Sequence, residues 1–547
     1  MRLKNVVLLG ILPILLLSCS QVKRADLIIY NATIYTVDEN FSLAQSMAIG
    51  DGRILAVGTD DEIGKRFRSD QRKDLHGAFV FPGLVDPHSH FLGYGRFLEV
   101  ANLVGSTSFE IIIERLKEHY QEFPKEWLIG RGWDQNLWQV QEFPHRKQLD
   151  VFFPDTPVLL IRIDGHAAIA NTTALQLAGI TKHTRTPGGK ILLKDGEPTG
   201  MLIDKAIDLV RDIIPLRTVA DDVNALLLAQ QSAFAVGLTS VSEAGIDKKY
   251  IRLIDSLQQA GKMQIRLYAM LNPNDDNFDT YLAEGPYKTE HLNVRSVKLF
   301  TDGALGSRGA KLIEPYTDDP GNSGLLLNTP EFLTETARAA YHAGFQVNTH
   351  SIGDSAVRLM LNIYADILGG KNDLRWRIEH AQVVHPDDFD LFGSYSIIPS
   401  IQTSHATSDM LWAIDRLGPE RLKTAYAYKQ LLQQNGWLPN GSDFPVEHIN
   451  PLYGFYAAFE RKNHQGLPPG GFQMENALTR KQALKGMTIW AAKAQFEENE
   501  KGSLEPGKFA DFIVVEKDLM SMPAEEILTL PVLFTYIGGV RVFEKIR

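Results

Sequence analysis

Cysteine is almost missing from this chain. Its 547 residues contain one, Cys19. A lone thiol excludes an internal disulfide, and a cysteine so near the N-terminus leaves the folded part without a thiolate metal ligand. A basic excess is also missing. The net charge is −10 and the isoelectric point about 5.9, which gives no electrostatic footprint for nucleic acid. Low-complexity tracts, heptads and short internal repeats are absent. The ordinary content is 44% apolar and 22% charged residues, typical of a soluble globular protein. The length suits one large domain plus a smaller one, or a few of medium size.

The one notable apolar run is Val6 to Leu17, preceded by Arg2 and Lys4. It is short for a bilayer span and reads as an export signal. Its end, Leu16-Leu17-Ser18-Cys19, resembles a bacterial lipoprotein signal. That resemblance implies loss of residues 1–18, lipid attachment at Cys19 and a short tether over 19–24. The product is an exported lipoprotein anchored to a membrane of the bacterial cell envelope. Ser20 gives no indication of inner-membrane retention, and the leaflet stays open. The alternative is an ordinary signal peptide with a chance cysteine.

The most informative stretch is Phe79-Val80-Phe81-Pro82-Gly83-Leu84-Val85-Asp86-Pro87-His88-Ser89-His90. The apolar run predicts a strand buried on both faces. Strand alternation then puts His88 and His90 on one side, where two neutral imidazoles clamp a metal ion. The alternative is a pair of solvated loop histidines.

Both ends of the chain are rich in β signals. Short β-prone runs fill 26–58, with Gly50-Asp51-Gly52 as a hairpin turn, and similar runs fill 510–543. They predict a small composite β-sandwich over 25–78 and 500–547. Between them, residues 79–499 alternate strands and helices. Strand ends fall near His88, Glu243, Met270, Phe300, His350, His380, Gln402 and Asp443. Helical patterns over 222–236, 329–343 and 355–367 separate some of them. Eight strands with helical crossovers predict an α/β fold, a (β/α)8 TIM-like barrel with its active site at the strand C-terminal ends. An insertion over roughly 95–225 follows the first barrel strand.

Several strand ends carry reactive groups. Lys298 lies among apolar residues, where burial lowers an ammonium's pKa; a lysine snorkelling to the strand end is the alternative. His350, His380 and Asp443 end later strands. The ordered set GLVDPHSH (83–90), KLFTDGALGSRGA (298–310), VNTHSIGDSA (347–356), RIEHAQ (377–382), SIQTSHATSD (400–409), NGSDFPVE (440–447) and GSLEPGKFADFIV (502–514) resembles the amidohydrolase superfamily, and within it family 3, the YtcJ-like amidohydrolases.

The resemblance implies one or two divalent ions, zinc foremost, with iron, manganese or nickel as alternatives. His88, His90 and Asp443 would hold the more buried ion, and His350 and His380 the second. Lys298, carboxylated by CO2, would bridge them. It further implies a metal-dependent hydrolase of non-peptide C–N bonds, in amide, N-acyl or N-formyl amines, with hydroxide as nucleophile and Asp443 as general base and then acid. Alternatives at the same site are cyclic amides, carbamates or lactones. A non-catalytic solute-binding lipoprotein is the alternative from another class.

Substrate contacts expected from the insertion are Trp133, as an apolar wall, with Asp134 and His166. Arg308 and His405 are further candidates. Each has a packing, capping or ion-pairing role as its alternative. A small-molecule amide is the expected partner, nucleic acid is not, and a homodimer is left open.

Overall fold

The computed structural model describes residues 22–546 except Ile163, Asp164, His166, Pro187, Gly188 and Ser307. The expected signal segment, Cys19 and His166 therefore lie outside the described residues. No described helix is long and apolar enough to cross a membrane.

Both chain ends build two packed sheets. One has the order Arg53–Gly58, Ser46–Gly50, Leu27–Tyr30, Gln71–Asp74. The other runs Val540–Glu544, Val532–Ile537, Phe512–Val515, Phe79–Pro82, Thr33–Tyr35, Leu43–Ala44. Alternate residues such as Ile29, Ile34, Met47, Val80, Phe512 and Val514 form their common core. The Asp51-Gly52 hairpin forms, with φ of 51° and 73°. Two positive φ values match the twist that a tight hairpin needs.

The expected strand at 79–90 divides in two. Phe79–Pro82 belongs to the sandwich, paired antiparallel with Phe512–Val515. The barrel begins after Gly83. A Cβ on Gly83 would lie 2.3 Å from Thr239 Oγ1, so only glycine lets the chain pass from sheet to barrel here. His90 also falls outside the strand, which ends at Ser89.

The barrel strands are β1 (Leu84–Ser89), β2 (Leu238–Ile246), β3 (Arg266–Leu271), β4 (Leu292–Phe300), β5 (Gln346–Ser351), β6 (Arg377–His380) and β7 (Ile398–Ser400). Each pairs in parallel with the next. The eighth position is held by a short extended segment instead of a regular strand. Asn440 bridges Ile401 in parallel, Gly441 N donates to Ile401 O, and Asp443 N donates to His88 O. Pro439 lacks a donor and Asp443 has φ 64°, so a full ladder cannot form. The result is a nearly closed parallel barrel of seven strands and one extended segment, in an α/β fold.

The helices named below are α1 (Phe91–Leu98), α2 (Val219–Ala235), α3 (Pro330–His342) and α4 (Asp354–Leu368). The last three match the expected helical patterns to within about a turn. Thr329 caps α3 through Phe332 N, ahead of Pro330. The insertion forms its own six-stranded sheet, in the order Ala101–Asn102, Leu128–Trp133, Val158–Arg162, Ala167–Ala170, Glu197–Asp204, Gly189–Lys194. Apolar clusters cover both faces, one around Trp133 and Leu116 and the other around Leu159 and Leu175.

Candidate active site

His88 sits at the end of β1 and is fully buried. Its Nδ1 lies 2.6 Å from Glu379 Oε2. A carboxylate at that distance holds the proton on Nδ1 and leaves Nε2 with a lone pair. Nε2 is 3.3 Å from Lys298 Nζ and 3.6 Å from Asp443 Oδ1. His90 Nε2 reaches the same Oδ1 at 3.3 Å.

His380 follows the same rule. Its Nδ1 is 2.7 Å from Gln402 Oε1, which leaves Nε2 for the site. Its backbone has φ 73°. This left-handed turn, costly for a residue with a Cβ, brings His380 to the same centre as its neighbour Glu379. The ring of His380 stands 4.8 Å from that of His88, 4.6 Å from that of His350 and 5.8 Å from that of His405. His405 Nε2 is 3.8 Å from Asp443 Oδ2. Asp443 therefore faces His88 and His90 with one oxygen and His405 with the other.

Burial pushes the Lys298 amine down to about 8. Burial and Lys298 both push His88 below its ordinary value, and burial takes His350 down to about 3. These imidazoles are neutral, as ligands must be. Burial would raise Glu379, but Arg377 and His88 overrule it and hold the carboxyl down to about 2.

The donor set fits a divalent ion. Ligand atoms of His88, His90 and Asp443 lie within 4.8 Å of one another, as do those of His380, His405 and Asp443. His350 Nε2, His405 Nε2 and Asp443 Oδ1 are buried and make no hydrogen bond among the described residues. Burying polar atoms without partners is costly. A cation accepted by nitrogen and oxygen lone pairs relieves that cost at one point.

The six residues expected as ligands thus meet at one centre, and His405 joins them. Of the other expected contacts that are described, Trp133, Asp134 and Arg308 engage other groups. Trp133 is fully buried within the inserted sheet, its Nε1 donating to Leu160 O and its ring packed on Trp138. It is a core residue and not a pocket wall, because its indole fills the centre of a cluster it needs to close. Asp134 pairs with Arg162 at 2.5 Å. Arg308 pairs through Nε and Nη2 with Asp318, which Arg416 also engages. Those pairings are the packing roles left open for them.

Glu379, Gln402 and Asp302 were not foreseen. Asp302 accepts from the backbone of Lys311, Ile352 and Gly353, and so fixes the loop beside His350. A carboxylate inside a four-residue buried strand, beside His380, was the available signal for Glu379.

A barrel with such a centre at its strand ends defines a metal-dependent hydrolase. Residues 72–543 match the Amidohydrolase family, and the chain belongs to it. The protein LONG AFTER FAR-RED 3 of Arabidopsis thaliana is 35% identical, covering 95% of this chain and 92% of its own length. An N-substituted formamide deformylase of Arthrobacter pascens is 27% identical over 95% and 98%. The crystal structure of an uncharacterized metal-dependent hydrolase from Pyrococcus furiosus superposes with TM-score 0.74 at 29% identity, covering 90% of this chain and all of that one.

Proposed function

We propose that the chain hydrolyses non-peptide C–N bonds, in N-formyl or N-acyl amines. The observation that carries this reading is Asp443, a buried carboxylate placed between His88, His90 and His405. The similarity to an N-substituted formamide deformylase supports the bond type.

His88, His90 and Asp443 would hold one divalent ion, zinc in the first instance. His380 with His350 or His405 would hold a second. Lys298 Nζ, neutral in part near pH 8, would add to CO2: an N–C bond would form as one C=O π bond opens, the amine proton would pass to solvent, and the carbamate would offer oxygen ligands. When bound, the ion supplies Lewis acidity toward a carbonyl and makes hydroxide available at neutral pH. Asp443 Oδ2, beside His405, accepts a proton from the attacking water. The same oxygen returns that proton to the leaving nitrogen, which an amide requires because an amide anion leaves poorly. Glu379 and Gln402 keep His88 and His380 in the tautomer that offers Nε2.

The test is amine release from a panel of N-formyl and N-acyl amines. Asp443→Asn, reloaded with zinc and compared at equal metal content, should lose turnover by about 100-fold or more. Absence of turnover of every such amide by the zinc-loaded wild type would overturn the assignment.

A further inference from the structure

His90 occupies an unusual place. It is the N-cap of α1, with φ −114° and ψ 73°, and its carbonyl accepts from Tyr94 N at 2.7 Å. A residue there ordinarily turns its side chain back to satisfy the first free N–H groups of the helix, which is why Ser, Thr, Asp and Asn are preferred. The His90 side chain makes no capping bond. Its Nε2 points to Asp443 instead.

The cap comes from another strand. Glu243, 3% exposed on β2, accepts from Leu92 N at 2.7 Å and also bonds Phe91 N. Glu243 stands in register with Ser89, whose hydroxyl donates to Ser242 O at 2.6 Å. His90 N itself donates to Phe444 O. Residues 89 to 92 are thus pinned on both sides of His90, and Glu243 supplies the pin on the helical side.

We propose that Glu243 is the positioning residue for His90, capping α1 from β2 so that the imidazole of residue 90 is free for the cation site. The inference rests on the metal-dependent reading above. A hollow of about 270 Å3, lined by His90, Leu92, Glu243, Asp247 and Tyr250 among others, lies against the cap. Water in that space can reach the Leu92 N–H when the carboxylate is removed, so the chain should still fold while residue 90 loses its anchor.

The experiment uses the whole chain stripped of metal, with zinc titrated against a chromophoric chelator. Glu243→Ala should weaken zinc binding by about 10- to 100-fold, the usual effect of removing a residue that orients a ligand. Glu243→Gln, whose amide oxygen still accepts from Leu92 N, should stay within about threefold of wild type. Glu243→Asp, which withdraws the carboxylate by one methylene, should weaken binding several-fold and stands in if the alanine variant does not fold. In a His90→Ala background, Glu243→Ala should change zinc affinity no further, because its effect passes through residue 90. A purely structural cap lowers the melting temperature without that coupling. Wild-type zinc affinity in folded Glu243→Ala or Glu243→Asp, or an equal loss with and without His90, would overturn the proposal. A wild-type chain that binds no zinc would instead overturn the metal-dependent reading, and the proposal with it.

Discussion

Glu379 is an acid that burial should neutralise, yet it stays ionised. Arg377 Nε lies 3.2 Å from Oε1, and His88 takes the other oxygen. All three side chains are buried. Such a group is expensive unless fully compensated, so its place against His88 argues for a demand beyond stability. Glu379→Gln keeps the size and removes the charge that orients His88. Zinc affinity, read by chelator competition, should fall about 10- to 100-fold; an unchanged affinity would sever the link between Glu379 and the cation site. Lys298 gives a prediction in pH. Its folded value of about 8 lies below the ordinary 10.5. Between those values the unfolded chain binds more protons, so stability rises as pH climbs from 8 to 10.5. The penalty is fully present below 8. In metal-free protein, Lys298→Met should show a flatter rise than wild type across that window in denaturant titrations. Identical slopes would mean Lys298 is not a buried amine.

At the scale of elements, the helices and the reactive strand ends were legible because their signals are local. Thr329-Pro330 announces α3, Asp51-Gly52 its hairpin, and histidines at the ends of apolar runs announce the site. Three features were not legible, each for a tertiary reason. Phe79–Pro82 and β1 form one continuous apolar run, and only pairing with Phe512–Val515 assigns the first half to the sandwich. The eighth barrel position needs no ladder of its own, since backbone bonds from Ile401 and His88 hold it. Glu243 caps a helix from another strand, a relation that no sequence spacing encodes. Trp133 misled because an aromatic beside polar residues reads equally as a wall or a core. Its burial decides. Trp133→Ala should destabilise the inserted sheet by about 3–5 kcal/mol, seen as an earlier unfolding step, with relative rates across amide substrates unchanged. A selective change in those rates at wild-type stability would restore it to the pocket.

At the scale of the whole molecule, sandwich and barrel are locked together below the site. Arg266, which opens β3, donates through Nε and Nη2 to Asp511 beside the strand Phe512–Val515, and both side chains are buried. Arg266 also stacks on Phe509. Lys501 reaches into the barrel wall, bonded to Ser240 and Glu497. Removing one member of a buried ion pair strands the other. Asp511→Ala should therefore cost about 3–5 kcal/mol, measured by chemical denaturation, and a loss below about 1 kcal/mol, typical of surface pairs, would show the seam to be dispensable. The seam lies at the strand starts and the histidines at their ends, so stability and chemistry occupy opposite faces of the barrel, as the fold class leads one to expect.

The proposed cation site is one barrel end, built by His88, His90, Lys298, His350, His380 and Asp443. The direct measurement is metal content per folded chain after reconstitution with zinc and bicarbonate. The wild type should retain about one to two equivalents, the range open to such donor sets, and His88→Ala should lose nearly all of it. A wild-type chain that folds and retains no stoichiometric metal would contradict the proposed site.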